Sequence, residues 1–149
     1  MNKNHYIRLI VMTVLSFLAM YMLMYAMVDS FSNVFASFNQ VYMAGLMAAP
    51  MVLIELSLMS AMYPHKKWNA LIATAGVIAL VLFWVGIRQQ VAISDKQFLR
   101  SMIPHHGGAI LMCEQASIHD PEIKQLCQEI ISGQRREIDQ MKAKLNELH

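Results

Sequence analysis

Residues Ser94 to Ile123 read SDKQFLRSMIPHHGGAILMCEQASIHDPEI and hold two helix starts separated by a break. Ser94-Asp95-Lys96-Gln97 fits a capping box, with Ser94 as the cap and Gln97 reaching back to it. A helix is expected from there to about Ser117, bent at Pro104, which deprives the Arg100 carbonyl of its usual donor. Asp120, Pro121 and Glu122 then supply an N-cap, a proline at the first helical position and an acid in the first turn. The second helix should run to about Leu148. Its apolar stripe is Ile123, Leu126, Cys127, Ile130, Ile138, Met141, Leu145 and Leu148, with Glu129, Ser132, Arg136 and Asp139 on the other face. Two helices joined by a short turn make an αα-hairpin over 94–149. A hairpin this small cannot enclose a core alone, so the stripe needs a partner.

Toward the N-terminus the character of the chain changes. Of the 22 charged residues only Lys3, Arg8, Asp29, Glu55, Lys66 and Lys67 precede Arg88, while 56% of the whole chain is hydrophobic. That asymmetry suggests a membrane part, residues 1–88, followed by a water-exposed part. Three spans are expected, at about 7–28, 41–62 and 68–87, each long enough to cross a hydrocarbon core of about 30 Å. The first is too long for the apolar core of a secretory signal, so it reads as an uncleaved anchor. Tyr63 and Trp68 flank the short turn between the second and third spans as interfacial anchors. Lys3, Arg8, Lys66 and Lys67 fall on one side, and the loop from Asp29 to Gln40 carries no Lys or Arg. The positive-inside rule then places the N-terminus in the cytoplasm and the hairpin on the far side of the cytoplasmic membrane. The net charge of +2 is too small and too scattered for a nucleic-acid surface.

The hairpin's first helix carries the chemistry. At 100° per residue, Met102, His105, His106, Ala109, Met112 and Cys113 fall within about 120° of one another. Thioether and thiolate donors select Cu(I), whereas imidazole alone suits several transition metals. With the turn centred near residue 120, antiparallel partners sum to about 240, so His106 faces Gln134, Cys113 faces Cys127, and Met102 faces Ile138 with Glu137 and Met141 a step away. Gln134 and Glu137 are the polar interruptions of the second helix's stripe, at the level of the histidines. Such groups are either satisfied by a buried partner or used by a metal and its surroundings. Met102, Met112 and Met141 are also ordinary core fillers, and a helical histidine is often a hydrogen-bonded core residue. The two cysteines are either a disulfide or a second metal site, because seven helical residues from His106 to Cys113 amount to about 10.5 Å, too far for one ligand shell.

Phe98-Leu99-Arg100-Ser101-Met102-Ile103-Pro104-His105-His106, with Ala109-Ile110 and Met112, resembles the motif of the domain of unknown function 305 family. Glu122-Ile123, Ile130-Ile131, Gln134, Glu137-Ile138 and Met141 extend the resemblance through the second helix, over about 94–148. It implies a ferritin-like helical bundle and, in some members, extracytoplasmic copper binding linked to copper tolerance. It carries Met102, His105, His106 and Met112 over as candidate ligands, with Gln134, Glu137 and Met141 in support. Soluble members carry two such hairpins and this chain one, so a four-helix bundle would need a second copy.

Ten of the 14 methionines lie in the first two spans, and Met43, Met47, Met51 and Met59 form a ladder completed by Glu55. Methionine is a good membrane-helix residue, but an acid near mid-bilayer costs about 2.5–3.5 kcal/mol and usually faces a bundle interior. Glu55 is expected to hydrogen-bond Ser57, Ser60 or another helix, or else to serve a thioether path for Cu(I). Three spans with Met-x-x-x-Met also resemble eukaryotic three-span copper transporters in this one motif. The expectation is an all-α, lipid-embedded and homo-oligomeric protein whose hairpin binds copper, Cu(I) before other transition metals, as buffer, sensor or delivery module. A small copper transporter and a structural membrane protein without metal are the alternatives. No Glu-x-x-His di-iron pattern is present, which disfavours an enzyme.

Overall fold

The computed structural model describes residues 3–148 and is all-helical over them. The elements are α1 (Lys3–Leu23), α2 (Phe38–Leu58), α3 (Lys66–Arg88), α4 (Asp95–Gln115) and α5 (Pro121–Glu147), with 3-10 turns at Met24–Met27, Phe31–Asn33 and Ser60–Met62. The chain divides into two compact units. One comprises the residues up to Met24 with Asn39–Val91, the other Tyr25–Phe38 with the chain from Ala92 onward.

The first unit holds nearly all of three helices long and apolar enough to cross a membrane: Asn4–Met27, Phe38–Leu58 and Lys66–Arg88. Its core gathers Leu9, Val52, Leu56 and Tyr63. Small residues let the helices approach, as in membrane bundles: the Phe83 ring occupies the place a Cβ would take at Gly45, and Tyr42 lies against Gly86. Each end of the unit is tied by polar side chains. Asn39 and Gln90 exchange amide hydrogen bonds of 3.0 and 3.1 Å, and Tyr42 donates to the Val91 carbonyl at 2.7 Å. At the other end the Tyr6 hydroxyl donates to Asn69, whose amide donates to the Tyr63 carbonyl, both at 2.7 Å. Glu55 accepts from the Tyr63 hydroxyl at 3.1 Å; Ser57, expected as a partner, donates instead to the Leu53 carbonyl. Of the methionine ladder Met51 is half-buried and the other three are not. Met43, Met47 and Met59 are exposed, while Ala44, Gly45, Ala48, Ala49, Val52 and Leu56 form the buried stripe of α2.

In the second unit α4 and α5 form the expected hairpin. Asp120 caps α5 by accepting from the Glu122 and Ile123 amides at 2.9 and 3.0 Å. The capping box at α4 does not form as expected: Ser94 makes no side-chain cap, and Gln97 accepts from the Phe38 amide at 3.0 Å. The reason is that a third element lies against α4. Tyr25–Phe38, which sequence patterning leaves as a loop of the membrane part, folds into this unit. Tyr25 donates to the Phe35 carbonyl, Asn33 donates to Asp29, and Phe35 packs on the core of Ile103, Ile110, Ile138 and Leu145. Gly107 and Gly108 make that approach possible. A Cβ at Gly107 would collide with Asp29 Oδ1, and one at Gly108 would sit 3.3 Å from the Met27 carbonyl oxygen. The partner that the hairpin was expected to need is therefore supplied in part by the chain itself: the face of α4 bearing Ile103 and Gly107 is covered from within. Ile123 and Leu126, assigned to the α5 stripe, stay about half exposed.

Candidate metal centre

Met102, His106, Glu137 and Met141 line one open groove along the hairpin, with Phe98 and Leu99 on its α4 wall and Gln140 and Lys144 on its α5 wall. The spacing explains the grouping. Residues 98, 102 and 106 recur at four on α4, and 137, 140, 141 and 144 at three and four on α5, so each set stacks along one helix face.

His106 is the fixed point. Its side chain is only 12% exposed, and both ring nitrogens are engaged: Nδ1 lies 2.9 Å from the Met102 carbonyl oxygen and Nε2 lies 2.8 Å from Glu137 Oε2. A carbonyl only accepts, so Nδ1 carries a proton. In the neutral ring the lone pair then sits on Nε2, facing a carboxylate that also only accepts. Two acceptors at that distance need a cation between them or on one of them. A proton makes the arrangement a hydrogen-bonded pair; a metal ion bonded to Nε2 at about 2.0 Å does not fit within it, so Glu137 would have to swing aside for Nε2 to bind one, while Met102's carbonyl would still hold the ring's orientation. Lys144 stays charged at the groove's end, its ammonium pKa raised by a hydrogen bond to Glu147.

The donor set tests which ions fit. Among the described residues no three of His, Cys, Asp and Glu converge to hold an ion. The groove instead offers one imidazole, one carboxylate and two thioethers, a set with the softness that suits Cu(I).

The expected site residues thus separate. His105 is exposed, its ring centroid 6.2 Å from that of His106, and it does not line the groove. Met112 is 54% exposed, and Gln134 is half-buried outside the groove. His106 meets Glu137, not Gln134. Helical side chains lean toward their own N-terminus, so His106 reaches away from the turn and a residue farther along α5 leans back to meet it. Cys113 and Cys127 are disulfide-bonded, with Cα atoms 5.3 Å apart. Glu114 and Arg135 add an interhelical ion pair of 2.6 Å. Sequence reading missed Gln140 and Lys144, although their three- and four-residue spacing from Glu137 could have indicated them.

The family model described as Domain of unknown function (DUF305) matches residues 57–145, from the end of α2 through nearly all of α5. The chain belongs to the DUF305 family. The DUF305 match begins well before the hairpin motif and takes in the whole of α3. One relative, Uncharacterized protein L153 of Acanthamoeba polyphaga mimivirus, is 35% identical over 142 residues, covering 93% of this DUF305 chain and 91% of the viral protein. No solved structure matches.

Proposed function

We propose that this chain is a membrane-anchored metal-binding protein whose hairpin holds Cu(I) outside the cytoplasm, as a buffer or delivery module in copper homeostasis. The observation that carries the reading is the His106 ring, held at Nδ1 by the Met102 carbonyl with Nε2 turned toward Glu137 in a groove also lined by Met102 and Met141. In this reading His106 supplies the nitrogen donor, Met102 and Met141 supply thioethers, and Glu137 offsets the positive charge. The ion is cargo. The groove is open along its length, which suits exchange with a partner better than permanent storage. Three apolar helices anchor the hairpin to lipid, and the distribution of Lys3, Arg8, Lys66 and Lys67 supports an outward-facing orientation.

Ile123 and Leu126 support pairing with a second copy, because they remain about half exposed on α5 after the chain has covered what it can. The transporter reading receives less support, since Met43 and Met47 on α2 and Met59 just beyond it are exposed, leaving Met51 as the half-buried member of the ladder. Titration of the purified full chain, its disulfide intact, with Cu(I) tests the proposal: one equivalent should bind, and His106→Ala should remove it.

A further inference from the structure

The cysteine pair lies outside the groove and has chemistry of its own. Cys113 on α4 and Cys127 on α5 join the helices beside the hairpin turn, and both are half-buried, within reach of small solutes. Met112, Ile123 and Leu126 are about half exposed, while the buried core begins at Ile110, one turn from Cys113, and continues through Ile103, Ile138 and Leu145 toward the open end of the hairpin. Opening the disulfide therefore leaves two thiols facing one another across helices that are still held by the core.

We propose that reduction of this disulfide by a small-molecule thiol creates a second soft-metal site, in which the Cys113 and Cys127 thiolates hold one Cu(I) between them. The step balances. Two equivalents of the small thiol reduce the protein disulfide to two thiols and leave as their own disulfide. Cu(I) then displaces both thiol protons and forms two Cu–S bonds, with no change in its oxidation state. Soft thiolates select this ion. Two metal–sulfur bonds of about 2.3 Å place the sulfur atoms about 4–5 Å apart, and side-chain rotation reaches that spacing from Cα atoms 5.3 Å apart. The oxidised pair has no thiolate to offer, so the site exists only under reducing conditions. Seven residues from His106 to Cys113 separate it from the groove by about 10.5 Å. The two sites share no ligand, and this proposal stands whether or not the groove binds copper.

The test uses the full chain in detergent, oxidised or reduced with a small thiol and then freed of it without air. Both samples are titrated with Cu(I) against a chromophoric chelator while thiolate-to-copper charge-transfer absorption is followed in the near ultraviolet. Reduction should add one equivalent and the absorption band. The Cys113→Ser/Cys127→Ser variant, checked for helicity by circular dichroism, should gain neither on reduction, and His106→Ala should gain both. A reduced wild-type chain that takes up no further equivalent overturns the proposal. So does a double-serine variant that still gains the equivalent, or a His106→Ala chain that loses the band.

Discussion

Across the hairpin His106 Nε2 lies 2.8 Å from Glu137 Oε2, and these residues are 31 positions apart in the chain. The contact joins α4 to α5 at the groove and leaves the imidazole with no free nitrogen, since Met102 holds the other. A cation is needed wherever the Nδ1-protonated ring meets an ionised carboxylate. Glu137→Gln keeps the shape and removes the charge. It should weaken Cu(I) binding by about 10–100-fold, the range for groups that support a ligand, with helicity unchanged. Competition titration against a Cu(I) chelator measures this, and unaltered affinity would remove Glu137 from the site.

The two glycine environments predict opposite signs. Replacing a helix-interior glycine with alanine ordinarily stabilises by about 0.5–1 kcal/mol. Gly133→Ala should follow that rule, because nothing among the described residues lies within 4 Å of the added Cβ. Gly107→Ala should reverse it, destabilising by about 1–3 kcal/mol as the methyl group drives into Asp29. Thermal melts of the two variants in one detergent make the comparison. Equal shifts would mean that Tyr25–Phe38 does not lie on α4.

That segment marks where sequence patterning stopped. The three long apolar helices were legible because about twenty apolar residues need no partner to declare themselves, and α5 because Asp120, Pro121 and Glu122 form a local start signal that the structure uses unchanged. The facing of Cys113 and Cys127 followed from helix geometry alone. Local signals could not place Tyr25–Phe38, whose Asp29, Ser30, Ser32 and Asn33 look like any polar loop until Gly107 and Gly108 are seen to receive it. The same limit explains Gln97, which suits a capping box but is drawn to the Phe38 amide. Within the site, composition grouped both histidines with every nearby methionine, and only side-chain direction separates His106, Met102 and Met141 from His105 and Met112.

The disulfide should contribute stability apart from any metal. Its half-cystines are 14 positions apart, and chain-entropy reasoning assigns a loop of about 15 residues roughly 3 kcal/mol. Cys113→Ser/Cys127→Ser should lower the melting temperature of the oxidised chain while leaving its Cu(I) stoichiometry intact. Loss of copper from that variant would mean that the groove depends on the disulfide for its shape.

Orientation is checked by a fusion after His149. A reporter active only outside the cytoplasm should work there, and one active only in the cytoplasm should stay silent. The reverse pattern would put the hairpin and its groove in the cytoplasm.

If one histidine of the adjacent pair binds the ion, titrating the oxidised His105→Ala and His106→Ala chains in parallel with Cu(I) tells which. His105→Ala should keep the oxidised wild-type chain's equivalent, since that ring lies outside the groove, and His106→Ala should lose it while retaining the helical content of the hairpin. An oxidised wild-type chain that binds no Cu(I), or an oxidised His106→Ala chain that binds it as tightly as wild type, would show that His106 does not hold the ion.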